Sequence, residues 1–115
     1  ELKQSRFIEQ VMVIGEGEKM PAAFIQPNFD FIKAWAKHQE YKIIDPTTDK
    51  KLINRIQKEV DFHNKKFGKW EQIKKFEITA DEWSIKAGHL TPTMKMKRKV
   101  IKEKYNKLYQ NIYNS

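Results

Sequence analysis

The side chains best suited to bind an anion lie in one short segment near the end of the chain, residues 89–98 (HLTPTMKMKR). Its cations are Lys95, Lys97 and Arg98. If a helix began near Thr91 or Pro92, these three cations would crowd its first turns. The positive end of its dipole would then make each cation unfavourable by about 0.3 to 1 kcal/mol. Because stability does not explain cations there, the segment predicts contact with an anionic partner.

The charge of the chain is concentrated in its second part. Residues 1–45 carry six basic and seven acidic side chains, whereas residues 46–115 carry seventeen basic and eight acidic, for a total net charge of +8. Between Lys95 and Lys107 there are seven basic residues and one acid, Glu103. Such a field attracts phosphate groups. A charge run alone is better explained as a solvated helix face, so the prediction depends on the residues around it.

Length and composition restrict the class of protein. A chain of 115 residues with 39% hydrophobic residues predicts one domain, residues 1–115, with a single core. It has no cysteine, and His38, His63 and His89 are too far apart in sequence for metal-ligand spacing, so we expect no metal site. No apolar run has the length of a membrane span and no signal peptide is evident. We expect a cytoplasmic protein, and a piece of a longer chain.

Apolar runs and turn residues predict three strands. Residues 10–15 are continuously apolar, which is typical of a central strand, and residues 20–26 form a second strand after a glycine-containing turn. These two strands form a hairpin. Alternation of Phe76 and Ile78 predicts a third strand over residues 73–79. Residues 1–5 resemble the end of a helix.

Three amphipathic segments predict helices that must cover the sheet. They run from an Asn28 cap to about His38, from Asp45 to a stop at Gly68, and from about Lys97 to Tyr113. Their apolar stripes are Phe31, Ile32 and Trp35; Leu52, Ile53, Ile56 and Val60; and Ile101, Tyr105, Leu108 and Ile112. We interpret His63 as a packing residue. The order of elements predicts an α+β domain with a three-stranded, mainly antiparallel sheet flanked by helices.

The segment before the basic decapeptide, residues 83–89 (WSIKAGH), is predicted to be a mobile loop, because it contains glycine and few apolar residues. Loops of this kind often carry functional side chains. A lysine held there could be a point charge for an oxyanion, a nucleophile or a solubilising group. The neighbouring residues Lys97, Arg98 and Lys99 favour anion contact over a desolvated Schiff-base lysine.

Three segments resemble a known family: residues 8–27 (IEQVMVIGEGEKMPAAFIQP), residues 83–88 and, above all, residues 90–98 (LTPTMKMKR). They are similar to the C-terminal domain of AMP-forming acyl-CoA synthetases of the long-chain fatty acid branch, and the similarity extends over essentially the whole chain. In the wider adenylate-forming superfamily a glycine usually precedes the motif lysine. Met94 occupies that position here, and a bulky residue there is common in the long-chain branch.

The resemblance implies a two-step ligase. A fatty acid and ATP would form an acyl-adenylate, after which coenzyme A would take the acyl group and release AMP, while the small domain rotates on its own N-terminal domain between the steps. By motif position, Lys95 would be the adenylation lysine, with Arg98 and Thr93 in supporting roles. ATP and Mg²⁺ would be bound mainly by the N-terminal domain. The hinge residue would lie upstream of Glu1, so we expect the fragment alone to be inactive.

Two other functions remain open from the sequence. The basic last helix, with tyrosines nearby, would suit a nucleic-acid-binding module, although Tyr105 and Tyr109 lie on or beside the apolar stripe. The same lysines would also suit peripheral contact with a membrane of anionic lipid. We expect no nucleic acid partner, because the tyrosines are better used in packing.

Overall fold

The computed structural model describes residues 4–68 and 71–114 as an α+β domain. Three strands form one sheet in the order β1-β2-β3, and four helices cover it. The strands are β1 (Ile8–Ile14), β2 (Ala22–Pro27) and β3 (Lys75–Ile78); the helices are α1 (Phe29–His38), α2 (Lys50–Asn64), α3 (Arg98–Lys104) and α4 (Asn106–Tyr113). The α+β class and the three strands predicted from the sequence are therefore confirmed.

The sheet is mixed, because the two pairings of β2 run in opposite senses. β1 pairs with it antiparallel, with Met12 opposite Phe24, as expected for a hairpin. β3 pairs with it parallel, with Glu77 opposite Phe24. A parallel neighbour requires a crossover connection, which α1 and α2 provide.

The central strand is β2 and not β1, contrary to the prediction from the apolar run at residues 10–15. Every residue of β2 is buried, whereas Val13 of β1 is 46% exposed. β1 is an edge strand, and an edge position leaves one side of a strand less covered. Met12 and Ile14 of the apolar run are buried on one face of the sheet, and Val11 packs, partly buried, on the other.

Two hydrophobic clusters lie on opposite faces of the sheet. Because side chains alternate along a strand, Ala23 and Ile25 of β2 join one cluster while Ala22 and Phe24 join the other. The α1–α2 face is completed by Ile32, Leu52, Ile56, Val60 and Ile78. The α3–α4 face is completed by Met12, Ile14, Trp83, Ile101, Tyr105 and Ile112. The predicted apolar stripes of the three helical segments are thus confirmed as core.

Capping residues determine where the helices of the α1–α2 face begin. The Asn28 side chain accepts the N–H of Phe31, as predicted. The second cap is Asp49, which accepts the N–H of Leu52, and not Asp45. The Asp45 carboxylate accepts the N–H of Thr47 and closes a separate turn. The helix cap therefore lies four residues after Asp45, where the prediction began the helix.

Three further boundaries differ from the prediction. α2 ends at Asn64, ahead of the expected stop at Gly68. The last helix is divided at Tyr105, although the Tyr105 N–H still donates to the Ile101 carbonyl. Of the helix end predicted at residues 1–5, residues 1–3 lie outside the described part, and residues 4 and 5 are not in an α-helix.

Candidate functional site

Residues 90–96 form a small hairpin, which we call the Lys95 hairpin. Leu90 and Met96 pair in an antiparallel bridge at its base. The Met94 N–H donates to the Thr91 carbonyl (2.8 Å), and the Thr91 N–H donates to the Lys95 carbonyl (2.7 Å). Met94 has a φ of 66°, in the left-handed region. A turn followed by a left-handed residue is a common three-residue hairpin loop.

No helix begins at Thr91 or Pro92, so the condition of the dipole argument is not met, whereas the helix start predicted near Lys97 is confirmed. Proline at the second position of a turn looks the same in sequence as proline in the first turn of a helix. α3 begins at Arg98, and its N-cap position is Lys97. Lys95 precedes the helix, so the dipole argument does not apply to it.

Lys95 is exposed because the end of the hairpin alternates its side chains. Met96 packs against the core of the α3–α4 face, while Lys95 and Lys97 on either side of it are exposed. Such alternation is that of an extended segment over a core. The Lys95 side chain is therefore accessible to a partner.

Thr93 and Thr91 stabilise the turn from within. Their hydroxyl oxygens lie 3.1 Å apart and share a hydrogen bond, and Thr91 Oγ1 also accepts the N–H of Lys95 (3.1 Å). The exposed Thr93 side chain thus has a contact in the turn that precedes Lys95. Its predicted supporting role stays a prediction.

Arg98 connects the start of α3 to the sheet edge. Its Nη2 donates to the backbone carbonyl of Val13 in β1 at 2.6 Å. A charge-assisted hydrogen bond of this length is among the stronger polar contacts. Arg98 therefore fixes the segment that follows the Lys95 hairpin, although its guanidinium remains exposed.

The loop before the hairpin is anchored, contrary to the prediction of a mobile segment. Trp83 is buried, and His89 and Leu90 are completely buried. The backbone N–H of Trp83 donates to Oε1 of Gln26 at 2.8 Å. The sequence analysis missed Gln26, although a single amide in an apolar strand is a recognisable signal, because buried polar groups need partners.

His89 holds the base of the Lys95 hairpin. The Ser84 N–H donates to its Nδ1 (3.2 Å), and the Lys97 N–H donates to its backbone carbonyl (2.8 Å). Its Nε2 lies 2.9 Å from Nζ of Lys104. Burial and, to a smaller degree, the positive charge of Lys104 lower the pKa of His89, while Asp81 opposes the shift. Burial thus favours the neutral form of His89, and its role in holding the hairpin was not revealed by the sequence.

Tyr105 completes this buried group. Its ring stacks on the His89 ring, and its hydroxyl donates to Oδ2 of Asp81 at 3.2 Å. Burial and the charge of Asp81 raise the pKa of Tyr105 to about 12. Tyr113 is also engaged, since its hydroxyl donates to the Met20 carbonyl. These positions weigh against tyrosines that stack on nucleic acid bases.

Neither a metal cluster nor a membrane-spanning helix occurs within residues 4–68 and 71–114. In the described ranges no three His, Asp or Glu side chains lie close enough together to hold a metal ion. None of the helices within those ranges is long and apolar enough to cross a lipid bilayer. The cytoplasmic location and the peripheral membrane contact stay predictions.

Comparisons with solved structures concern the fold. The adenylation domain of a carboxylate reductase from Mycobacterium chelonae superposes with a TM-score of 0.77 at 18% identity, covering 99% of this chain and 17% of that one. The A-PCP didomain of a carboxylic acid reductase from Segniliparus rugosus, in complex with AMP, gives 0.69 at 17% identity, covering 92% and 14%. At these identities the similarity shows a shared fold.

Sequence comparisons are more specific. The long-chain-fatty-acid–CoA ligase FadD15 of Mycobacterium tuberculosis is 32% identical over 99% of this chain, and the human long-chain-fatty-acid–CoA ligase 6 is 28% identical over 96%. The chain spans 20% and 17% of the lengths of these relatives. The family model described as AMP-binding enzyme C-terminal domain matches residues 1–115. The chain therefore belongs to the family of AMP-binding enzyme C-terminal domains.

Proposed function

We propose that this chain is the mobile C-terminal domain of an AMP-forming long-chain fatty acid–CoA ligase, and that Lys95 is its adenylation lysine. The observation that carries the proposal is the position of Lys95. It is an exposed lysine on a hairpin whose base is held by the buried residues His89 and Leu90. The names of the relatives supply the substrate class.

In the first step, the carboxylate of the fatty acid attacks the α-phosphorus of ATP, and pyrophosphate leaves. Negative charge increases on the oxygens around the phosphorus as the new bond forms. A cation fixed in a site without water stabilises this charge far more than one in bulk solvent. In our proposal Lys95 supplies that cation.

Lysine suits a contact that exists only in the closed state. Its flexible stem carries a compact ammonium group, which the N-terminal domain would surround as the two domains close. Arg98 is bonded to the Val13 carbonyl, and Thr93 is bonded within the turn. These two contacts would hold the Lys95 hairpin in a fixed position relative to the sheet during closure. Both are positioning residues in this proposal.

In the second step, the thiol of coenzyme A attacks the acyl carbon and AMP leaves, with the domain rotated so that Lys95 is withdrawn. The acyl, ATP and coenzyme A sites would then belong mainly to the N-terminal domain. The described residues have no cluster of ligands that fits Mg²⁺, and we assign no step to the metal here. By itself the chain is expected to be inactive.

The test uses the full-length parent and measures the two half-reactions separately. Lys95→Ala should reduce the rate of acyl-adenylate formation by about 100-fold or more. This rate is measured by ATP–pyrophosphate exchange. Transfer of a supplied acyl-adenylate to coenzyme A should remain within a few-fold of the wild type. Lys97→Ala is the matched control, because Lys97 is exposed two residues away. Equal loss of both half-reactions in Lys95→Ala would contradict the assignment.

A further inference from the structure

Met94 lies in a backbone conformation that its side chain disfavours. Its φ of 66° is in the left-handed region, where a Cβ atom approaches the following carbonyl and glycine is preferred. Among the described residues, Glu40 is the other non-glycine residue with a positive φ. Glu40 follows α1, where a left-handed residue commonly ends a helix. Met94 instead lies at the hairpin tip, directly before Lys95.

The Met94 side chain does not pack against the core of the domain that carries it. It is 57% exposed, and it is not among the residues packed against either core cluster. Met96, two residues later, does pack against the core of the α3–α4 face. An exposed apolar side chain on a strained backbone is unfavourable in two ways, and glycine or asparagine would avoid both.

The position of Met94 indicates where this side chain is used. Thr93 and Lys95 on either side are exposed, so the three side chains form the tip that would enter a closing site first. An ammonium group acts most strongly where water is excluded, and an apolar neighbour excludes water. Methionine adapts its shape to irregular apolar surfaces.

We propose that Met94 is a positioning residue for adenylation. When the domains close, the Met94 side chain packs against an apolar rim of the parent's N-terminal domain and excludes water beside the Lys95 ammonium group. This contact also determines how far the ammonium group extends into the active site. Its Cβ also limits the conformations of the hairpin tip, so Lys95 enters the site preorganised. This inference rests on the proposed function of Lys95.

The experiment compares Met94→Gly, Met94→Ala and Met94→Leu in the full-length parent. Met94→Gly should leave the midpoint of thermal unfolding unchanged or higher, because it relieves the left-handed strain. It should nevertheless lower the rate of acyl-adenylate formation by about 10- to 100-fold, the size expected when a reacting group is misplaced. The transfer of a supplied acyl-adenylate to coenzyme A should stay within about threefold, since a few-fold change is small beside that loss.

The other two variants separate the backbone from the side chain. Met94→Leu should retain an adenylation rate near that of the wild type. Met94→Ala keeps the Cβ but removes the apolar contact, so its adenylation rate should lie between those of Met94→Leu and Met94→Gly. Loss of water exclusion has its own readout, which is faster hydrolysis of bound acyl-adenylate when coenzyme A is omitted. We expect this hydrolysis to increase in the order Leu, Ala, Gly.

Two results would overturn the inference. One is a Met94→Gly enzyme with full adenylation activity. The other is a parallel loss of stability and of both half-reactions, which would indicate a purely structural role. Lys95→Ala distinguishes the two proposals. If Lys95→Ala retains adenylation, the proposed function itself fails, whereas loss in Lys95→Ala with full activity in Met94→Gly removes only the role of Met94.

Discussion

The α1–α2 face and the α3–α4 face of the same sheet are built differently. On the first, both helices begin with a side-chain cap, from Asn28 and Asp49. On the second, neither α3 nor α4 has a side-chain cap, and Lys97 occupies the N-cap position of α3. The strained residue Met94 also belongs to the segment that covers this second face. We therefore expect local stability to be weaker on the side that presents Lys95.

This difference indicates how a small domain divides stability and function. The capped helices of the α1–α2 face have a local source of stability at their N-termini. The α3–α4 face relies on tertiary anchors instead, such as the hydrogen bonds from Trp83 to Gln26 and from Arg98 to Val13. Residues in functional segments are often less stable for this reason.

The largest expected effects come from truncating a buried isoleucine on each face. Ile56 and Ile101 are both completely buried. Ile56→Ala and Ile101→Ala should each lower the free energy of unfolding by about 2 to 5 kcal/mol, through lost burial and the cavity left behind. Native-state hydrogen exchange would then distinguish the faces.

We expect Ile56→Ala to accelerate amide exchange throughout the described chain, because α2 exchanges through global unfolding. Ile101→Ala should accelerate it most strongly within residues 97–113, because that face opens locally. The same distribution of exchange rates in both variants would show that the two faces form one cooperative unit.

Changes at the caps should have intermediate effects of opposite sign. Asp49→Ala removes the bond to the Leu52 N–H and should lower the free energy of unfolding by about 0.5 to 2 kcal/mol. Lys97→Asp provides α3 with a cap and removes a cation from its positive end, so it should raise that energy by about 0.5 to 1 kcal/mol. Urea unfolding measures both. A destabilised Lys97→Asp would mean that the missing cap is not the weakness of this face.

The smallest expected effect is on pH dependence. The pKa of His89 is lowered in the folded state by burial and by Lys104. The unfolded chain therefore binds more protons than the folded one below the ordinary value of 6.5, so the stability contribution of His89 falls as the pH drops below that value. Thermal unfolding of the His89→Gln variant should show a flatter acid limb than that of the wild type. Identical acid limbs would mean that His89 does not titrate on unfolding.

The sequence predicted the parts of the fold that depend on periodicity. The stripes of Ile32, Ile56 and Ile101 are all buried, and the hairpin of β1 and β2 is present. It did not distinguish between alternatives with the same local chemistry. Asp45 and Asp49 are both good caps, and a proline after a threonine fits either a turn or a helix start. Tertiary packing selects one of these alternatives, and contacts between distant residues cannot be inferred from the local pattern of a single sequence.

The candidate site was predicted in part. Lys95 was chosen by motif position, and the structure gives it the exposure that its proposed role requires. The argument from the helix dipole does not apply to Lys95, because α3 begins later, at Arg98. The anchors Gln26 and His89 were not predicted, since Gln26 bonds to a residue 57 positions away and His89 is buried by packing that the local sequence does not show.

The most direct test of this account is the ratio of the two half-reaction rates in the full-length parent that carries Lys95→Ala. We expect the rate of acyl-adenylate formation, divided by the rate of acyl transfer to coenzyme A, to fall by about 100-fold or more. In Lys97→Ala the same ratio should remain near the wild-type value. An unchanged ratio in Lys95→Ala would show that this lysine does not serve adenylation and would contradict the account.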